Sequence, residues 1–267
     1  MSVRGRAAAT AQDRTVRVRS CGTIRPCARY TNLPRRATRA RQSTISGGKV
    51  KIGIIGAGNI GGNLTRRLTR LGHDVSVANS RGPETLAGLA EETGATPVDV
   101  TRAARDAEVV IVTIPQRAVP ALPADVLAGA APGAAVVDTN NYYPQRDGKI
   151  AAIENGQTES AWVAEQLGHT VVKVFNNIYA SHLLTRAVPP GTPDRIALPV
   201  AADDQSAKQK IMRLVDELGF DPVDAGGLSE SWRQQPGTPV YGTDLDAEGV
   251  RKALASASPE RLPDFRA

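Results

Sequence analysis

The sequence predicts an α/β protein with a doubly wound, mostly parallel sheet. From Val50 onward, short runs of β-branched and other apolar residues alternate with amphipathic segments of helical period. The runs are apolar almost throughout instead of alternating with polar residues, which indicates a parallel sheet covered by helices on both faces. A glycine-rich turn joins the first run to the first amphipathic segment. Together these three features predict repeated strand–helix–strand units.

The predicted elements follow in order along the chain. The apolar runs predict strands at 50–55, 74–78, 108–114, 134–138, 171–175, 195–200 and 221–224. The amphipathic segments predict helices at 59–71, 83–94, 158–168, 204–218 and 246–257. The first helix carries one apolar stripe, made of Leu64, Leu68 and Leu71. A turn-rich stretch over 140–158 divides the body, and we expect 159–245 to pack against the part before it. A C-terminal helix and tail over 246–267 complete the chain.

Residues 1–48 form a basic segment with eleven Arg, one acid (Asp13) and a formal charge of about +10. The whole chain has 33 Lys and Arg against 27 Asp and Glu, so residues 49–267 keep 22 basic and 26 acidic residues, a charge of about −4. The segment lacks hydrophobic periodicity, and we expect a disordered leader before a folded domain over 49–245. Three interpretations of the leader stay open: a start codon assigned too far upstream, an organelle transit peptide, and a nucleic-acid-binding arm.

Both cysteines, Cys21 and Cys27, lie in this leader. The body therefore offers no thiol for a disulfide, a metal site or nucleophilic catalysis. No run approaches 18 apolar residues, and the N-terminus lacks the apolar region of a secretory signal. We expect a cytoplasmic protein without a bound metal, since no metal-ligand spacing occurs.

The glycine-rich turn is a dinucleotide-binding fingerprint. It reads Gly56-Ala57-Gly58-Asn59-Ile60-Gly61, directly after an apolar strand and at the start of an amphipathic helix. The first glycine permits the tight turn, the second lets the backbone approach a pyrophosphate, and the third allows close packing of helix and strand. Free N–H groups at the helix start bind phosphate. This context predicts a Rossmann domain.

The end of the second strand predicts the cofactor. Sites for NAD place Asp or Glu there to bond the ribose 2′-hydroxyl, whereas this chain has Asn79, Ser80 and Arg81. Arg81 can pair with a 2′-phosphate, and the side chains of Asn79 and Ser80 can bond the phosphate or the sugar. We therefore expect NADP(H) as the cofactor.

Later motifs carry a resemblance to one family. They are Thr113-Ile114-Pro115, the run from Val174 to Ala180 (Val-Phe-Asn-Asn-Ile-Tyr-Ala) and the run from Val223 to Leu228 (Val-Asp-Ala-Gly-Gly-Leu). With the fingerprint and the Asn79–Arg81 turn, they make residues 50–245 resemble the deazaflavin-dependent NADP reductases, that is, coenzyme F420:NADP oxidoreductases. The first half is shared with relatives such as pyrroline-5-carboxylate reductase.

The resemblance implies further cofactor contacts. It places the loop with Thr113, Ile114 and Pro115 along the cofactor ribose, and it brings Asn176, Asn177 and Ala180 to the nicotinamide. It also implies direct hydride transfer between NADP(H) and a deazaflavin such as F420. Such transfer needs two stacked rings and no obligatory acid or base, so the catalytic residues stay unknown.

The stretch from Ser229 to Pro239 departs from the family pattern, which leaves the acceptor open. Trp232 and Tyr179 could stack a flat ring and Arg233 could hold an anionic tail, although such aromatic residues more often pack in the core. Among the histidines, we expect His73 and His169 to be solvated at turns.

Three functions remain at this point. The first is an NADPH-dependent oxidoreductase acting on a soluble small-molecule hydride donor or acceptor, without nucleic-acid or membrane partners. The second is a non-catalytic NADPH sensor or scaffold module. The third is nucleic-acid binding through the basic leader. Because relatives commonly dimerise, a homodimer is an open interpretation.

Overall fold

The computed structural model describes residues 48–267, which belong to one compact unit. The predictions for residues 1–47, including the disordered leader, lie outside the described residues. No helix in the described part of the chain has the length and apolarity needed to cross a lipid bilayer.

Six strands form a parallel sheet in the order β3-β2-β1-β4-β5-β6. A further parallel pair, β7 and β8, continues this sheet through one antiparallel bridge between Lys173 and Ala201. The strands are β1 (Lys51–Ile55), β2 (Asp74–Ala78), β3 (Thr96–Pro97), β4 (Val109–Val112), β5 (Ala135–Asp138), β6 (Val172–Lys173), β7 (Ala197–Val200) and β8 (Asp221–Asp224).

In residues 48–267, eight α-helices and several 3-10 segments connect these strands. The helices are α1 (Asn59–Arg70), α2 (Ala87–Thr93), α3 (Pro144–Asp147), α4 (Ala151–Glu154), α5 (Glu159–Leu167), α6 (Ala180–Thr185), α7 (Gln205–Glu217) and α8 (Ala247–Ser256). The 3-10 segments are Pro83–Leu86, Val100–Arg102, Gln116–Ala121, Leu228–Gln234 and Pro263–Phe265. Side-chain caps from Thr158, Asp204 and Asp246 begin α5, α7 and α8.

Alternate residues of the strands enter two separate cores because successive strand side chains point to opposite faces. Ile54 and Ile111 pack with leucines of α1, α6 and α7. Ile55 and Val110 pack instead with Val163 of α5 and residues of the 3-10 segments. The predicted doubly wound fold is therefore confirmed. Strand order reverses between β1 and β4, and the crevice at the carboxyl ends of these two strands is where ligands of such sheets bind.

The structure corrects several local predictions. Leu71 does not belong to the buried stripe, because α1 ends before it and its side chain is 37% exposed. The predicted helix 83–94 is a 3-10 turn followed by α2, and the two-residue strand β3 was not predicted.

His73 is buried, not solvated. Its Nδ1 accepts a hydrogen bond from the Val50 N–H, and its Nε2 lies 3.4 Å from the Glu217 carboxylate. The ring thus links the start of β1 to α7. His169 is exposed, as expected.

Candidate dinucleotide site

The glycine turn after β1 combines two crowded positions with one open position. A Cβ at Gly56 would stand 2.1 Å from the Thr113 carbonyl oxygen, and one at Gly61 would stand 1.9 Å from the Gly56 carbonyl oxygen. Gly56 also has a φ of +111°, which favours glycine. A Cβ at Gly58 would meet nothing within 4 Å. The open side of Gly58 therefore leaves room for a ligand beside the backbone.

The start of α1 is suited to an anion. Gly58 is its N-cap and provides no side-chain hydrogen bond, and the first turn contains no acidic residue. Asn59 is exposed and Ile60 is half-buried. The N–H groups of this turn and the helix dipole thus face open space, as phosphate binding requires.

The turn after β2 is organised by Asn79. Its Oδ1 accepts a hydrogen bond from the Arg81 N–H at 2.9 Å, and its Nδ2 donates to the Thr85 hydroxyl at 2.9 Å. Ser80 and Arg81 are exposed, and Arg81 makes no ion pair within residues 48–267. Asn79 therefore shapes the turn, while the side chains of Ser80 and Arg81 stand free for a ligand.

The loop after β4 is held by a residue that the sequence analysis missed. The Ile114 N–H donates to Oδ1 of Asn140 at 2.9 Å, and Asn140 Nδ2 is buried without a hydrogen-bond partner. Asn140 follows β5, so it fixes Thr113, Ile114 and Pro115 against the neighbouring strand. A polar Asp-Thr-Asn-Asn run that begins at the last residue of the apolar strand β5 was the signal available in the sequence.

A buried ion pair lies beneath this loop. Lys173 of β6 donates to the Asp138 carboxylate at 3.2 Å and to the Asn140 carbonyl, and both charged side chains are fully buried. Asp138 also accepts from the Ser160 hydroxyl at 2.7 Å and from the Asn140 N–H at 2.9 Å. The network connects β5, β6 and the start of α5.

Beyond β6 the backbone is strained. Phe175 is fully buried with a φ of +62°, which is unfavourable for a bulky residue and persists only where packing enforces it. The strand predicted over 171–175 therefore ends before this bend, at Lys173. The bend also sets the direction of the chain at the next two residues, Asn176 and Asn177.

The two asparagines after Phe175 differ in their bonding. The Asn176 side chain is engaged on both atoms, by the Asn141 side chain and by the backbone and side chain of Gln234. Asn177 is 1% exposed, and neither Nδ2 nor Oδ1 has a partner. An unpaired buried amide is costly, so Asn177 is the stronger candidate to bond a cofactor amide.

The backbone of Ala180 is hydrogen-bonded to α1, the helix that follows the glycine turn. Its carbonyl accepts a hydrogen bond from Asn63 Nδ2 of α1 at 2.6 Å. Asn63 was not among the predicted site residues, since a polar residue on a helix carries no distinguishing signal. The structure thus brings the glycine turn, the Thr113–Pro115 loop and the 176–180 segment to one edge of the sheet, with the Asn79–Arg81 turn one strand away.

A cavity of about 720 Å³ opens beside the start of α5 and is lined by residues of 149–158, 229–235 and 259–267. Trp232 lines it, but the Arg233 guanidinium lies 4.3 Å from the centre of the indole ring and its Nε donates to Glu230. Arg233 therefore covers one face of Trp232 and is itself paired, which disfavours a role in holding an anionic tail.

Two phenols meet at the same edge of the sheet. The hydroxyls of Tyr143 and Tyr241 are hydrogen-bonded, and Asn141 Nδ2 lies 3.5 Å from the Tyr241 hydroxyl. Burial, and then the contact with Tyr143, raise the pKa of the Tyr241 phenol. Tyr241 therefore stays neutral at physiological pH and acts as a hydrogen-bonding group.

Comparison with known proteins agrees with this geometry. Residues 51–142, which include the glycine turn and the β4 loop, match the family model described as NADP oxidoreductase, coenzyme F420-dependent. This part of the chain is thus similar to the Rossmann-like, NAD(P)-binding domain of an oxidoreductase family.

Similar proteins extend the comparison over more of the chain. A hypothetical protein of known structure from Sinorhizobium meliloti is 30% identical with a TM-score of 0.61, over 74% of this chain and 96% of that protein. The Escherichia coli (strain K12) protein YjhV is 43% identical over 84 residues, which is 30% of this chain. The match spans 61% of the length of that curated relative.

A structure from Arthrobacter sp. FB24, described as an F420-dependent NADP reductase, is 23% identical with a TM-score of 0.57. That match covers 68% of this chain and 87% of that protein, and it supports the shared fold.

Proposed function

We propose that this protein uses NADP(H) in preference to NAD(H) and transfers a hydride between it and a small-molecule acceptor in solution. A deazaflavin coenzyme of the F420 type is the first acceptor to test. The observation that carries the cofactor choice is the turn after β2, where Ser80 and Arg81 are exposed and the residues Asn79–Arg81 include no carboxylate. A 2′-phosphate is bound well by a guanidinium and would be repelled by a carboxylate.

The residues along the crevice fit the rest of the cofactor. The open side of Gly58 and the uncapped start of α1 suit a pyrophosphate. Asn177 offers an unpaired donor and an unpaired acceptor, as a nicotinamide carboxamide needs, and Asn140 Nδ2 offers one more donor. NADPH, when bound, supplies the hydride from its nicotinamide ring. The chain's own residues orient that ring and exclude water from it.

Arg81→Asp tests the cofactor choice. We expect the Kd for NADPH to rise about 100-fold, since a charge-assisted contact of about 1.5–3 kcal/mol is lost and a repulsive charge is added. The Kd for NADH should change less than about threefold. Binding can be followed by fluorescence of the reduced nicotinamide.

Arg102→Asp is the matched control for Arg81→Asp. Arg102 is exposed in the 3-10 turn before β4, away from the carboxyl ends of the strands, and the variant makes the same change in net charge. Equal losses of NADPH and NADH affinity in Arg81→Asp, or equal effects of the two variants, would contradict the NADP(H) assignment.

Turnover tests the enzymatic assignment. Purified protein with NADPH should be mixed in turn with oxidised F420, flavins, small ketones and cyclic imines while absorbance at the nicotinamide band is followed. Oxidation of NADPH by any of these acceptors supports the oxidoreductase. Tight NADPH binding without turnover of any acceptor would favour a non-catalytic sensor or scaffold instead.

A further inference from the structure

A histidine–aspartate pair lies beside the segment proposed to meet the nicotinamide. His182 Nδ1 is 2.7 Å from Oδ1 of Asp244. A carboxylate at this distance holds the imidazole tautomer with its proton on Nδ1 and leaves Nε2 to exchange a proton with a ligand. The side chains of His182 and Asp244 are 27% and 29% exposed, so the pair is partly buried and still open to the surface.

The pair is connected to Asn177 through short contacts. The Gly242 N–H donates to the Asn177 carbonyl at 2.8 Å, which brings the segment before Asp244 onto the segment that follows β6. The Tyr179 hydroxyl lies against Gly242, and the Tyr179 ring meets the His182 ring edge-on at 5.2 Å. His182 is therefore linked to the backbone of Asn177 through Tyr179 and Gly242.

An exposed aromatic ring lies next to the pair. Tyr179 is 54% exposed, an unusual position for a large aromatic side chain. A flat acceptor stacked against this ring would lie beside both His182 and the proposed nicotinamide site. This gives the neighbourhood the two features that reduction of a polarised double bond requires: a surface for the acceptor and a proton donor.

We propose that His182, positioned by Asp244, donates the proton that accompanies hydride transfer, and that the acceptor is reduced across a polarised carbon–heteroatom bond. The hydride from NADPH forms the new C–H bond, the π electrons move to the heteroatom, and His182, with both ring nitrogens protonated, gives that atom the proton from Nε2. The products are NADP⁺ and the reduced acceptor, and water restores the proton on His182. This inference rests on the oxidoreductase function proposed above.

The groups around His182 suit this role. Asp244, from the segment before α8, holds the Nδ1 side of the imidazole ring and leaves Nε2 to face the acceptor. Tyr179 contacts the ring from the start of α6, and Arg186 follows one helical turn later on the same helix. The opposite side of α6 packs on α1, whose Asn63 bonds the Ala180 carbonyl and fixes the position of the helix.

His182→Asn and Asp244→Asn test the proposal, with His169→Asn as the matched control. His169 is exposed, and its Nδ1 contacts only the carbonyl of its neighbour Thr170. All variants are compared for thermal melting, for NADPH Kd by fluorescence, and for kcat and KM with the acceptor that the wild-type chain reduces fastest among F420, flavins, ketones and cyclic imines. Turnover is measured in water and in D₂O.

We expect His182→Asn to lower kcat about 100-fold, the scale of general acid catalysis, with the NADPH Kd unchanged within about twofold. Asp244→Asn should lower kcat about tenfold, and His169→Asn should match the wild type. The solvent isotope effect on kcat should increase in His182→Asn because proton transfer becomes slower than hydride transfer.

Two results would overturn the inference while leaving the oxidoreductase intact: His182→Asn with a kcat within threefold of His169→Asn, or a loss confined to NADPH binding or thermal stability. Absence of turnover in the wild-type chain with every acceptor would instead remove the proposed function, and the inference with it.

Discussion

At the residue scale, three glycines of one turn meet three different physical demands. Gly56 needs a positive φ, Gly61 has no space for a Cβ beside the Gly56 carbonyl, and Gly58 has empty space beside it. The first two demands come from the protein itself. At Gly58 the protein itself imposes no such constraint, and the phosphate of the proposed cofactor would supply one.

Gly58→Ala and Gly61→Ala separate these demands. We expect Gly58→Ala to melt at the wild-type temperature within about 2 °C, since Gly58 has a φ of −76° that alanine adopts freely. Its NADPH Kd should rise at least about tenfold, because the methyl group enters the phosphate site. Gly61→Ala should lose about 2 kcal/mol of unfolding free energy or more through overpacking. Normal NADPH affinity in a folded Gly58→Ala chain would refute the placement of the phosphate.

The sequence alone predicted the glycine turn but could not separate Asn176 from Asn177. The difference depends on Gln234, which is 58 positions from Asn176 and bonds its side chain but not that of Asn177. In the same way, Leu71 fits the helical period of the first helix, but the chain leaves the helix at that residue and the side chain is exposed. Short-range patterns predict elements, while the partners of a polar group are set by distant segments.

At the scale of elements, an ion pair connects the carboxyl ends of β5 and β6. Lys173 lies in an apolar run, and sequence analysis treated it as a strand residue without a role. The structure buries it completely against Asp138. The strand β6 is short because the backbone turns away from the sheet at Phe175. The ion pair therefore helps to hold β6 against β5, and the bridge between Lys173 and Ala201 holds it near β7.

Lys173→Met tests this connection. The variant leaves the Asp138 charge buried with only the Ser160 hydroxyl and the Asn140 N–H as partners. We expect the unfolding free energy to fall by about 3–5 kcal/mol, the cost of an uncompensated buried charge. In urea unfolding, the double variant Asp138→Asn with Lys173→Met should recover part of this loss because the amide carries no charge. A single variant as stable as the wild type would contradict the assigned role.

At the scale of the whole molecule, the C-terminal segment closes over the end of α5. Arg261 forms an ion pair with the fully buried carboxylate of Glu159 and stacks 5.1 Å from the centre of the Tyr142 ring. The Tyr142 N–H donates to the same carboxylate at 3.1 Å. The sequence indicated a C-terminal helix and tail, but it gave no sign that the tail neutralises a buried acid about 100 positions earlier.

In Arg261→Met, the free energy of unfolding should therefore depend on pH more strongly than in the wild type. Burial raises the pKa of Glu159, and the positive charges of Lys173 and Arg261 oppose that rise, so the variant raises the pKa further. When a carboxyl binds its proton more tightly in the folded than in the unfolded state, the free energy of unfolding of the protein falls as the pH rises above the unfolded pKa of about 4.3. The gap in unfolding free energy between wild type and Arg261→Met should thus widen from pH 5 to pH 7.5, by at most about 1.4 kcal/mol per pH unit.

Two further variants isolate the cause of that pH dependence. Arg266→Met removes an exposed arginine of the same segment and should show no widening gap. Adding Glu159→Gln to Arg261→Met should abolish the pH dependence, because the buried group no longer titrates. Urea unfolding at the two pH values measures all four chains. A loss in Arg261→Met that is equal at both pH values would mean that Arg261 acts through its packing on Tyr142 and not through the charge of Glu159.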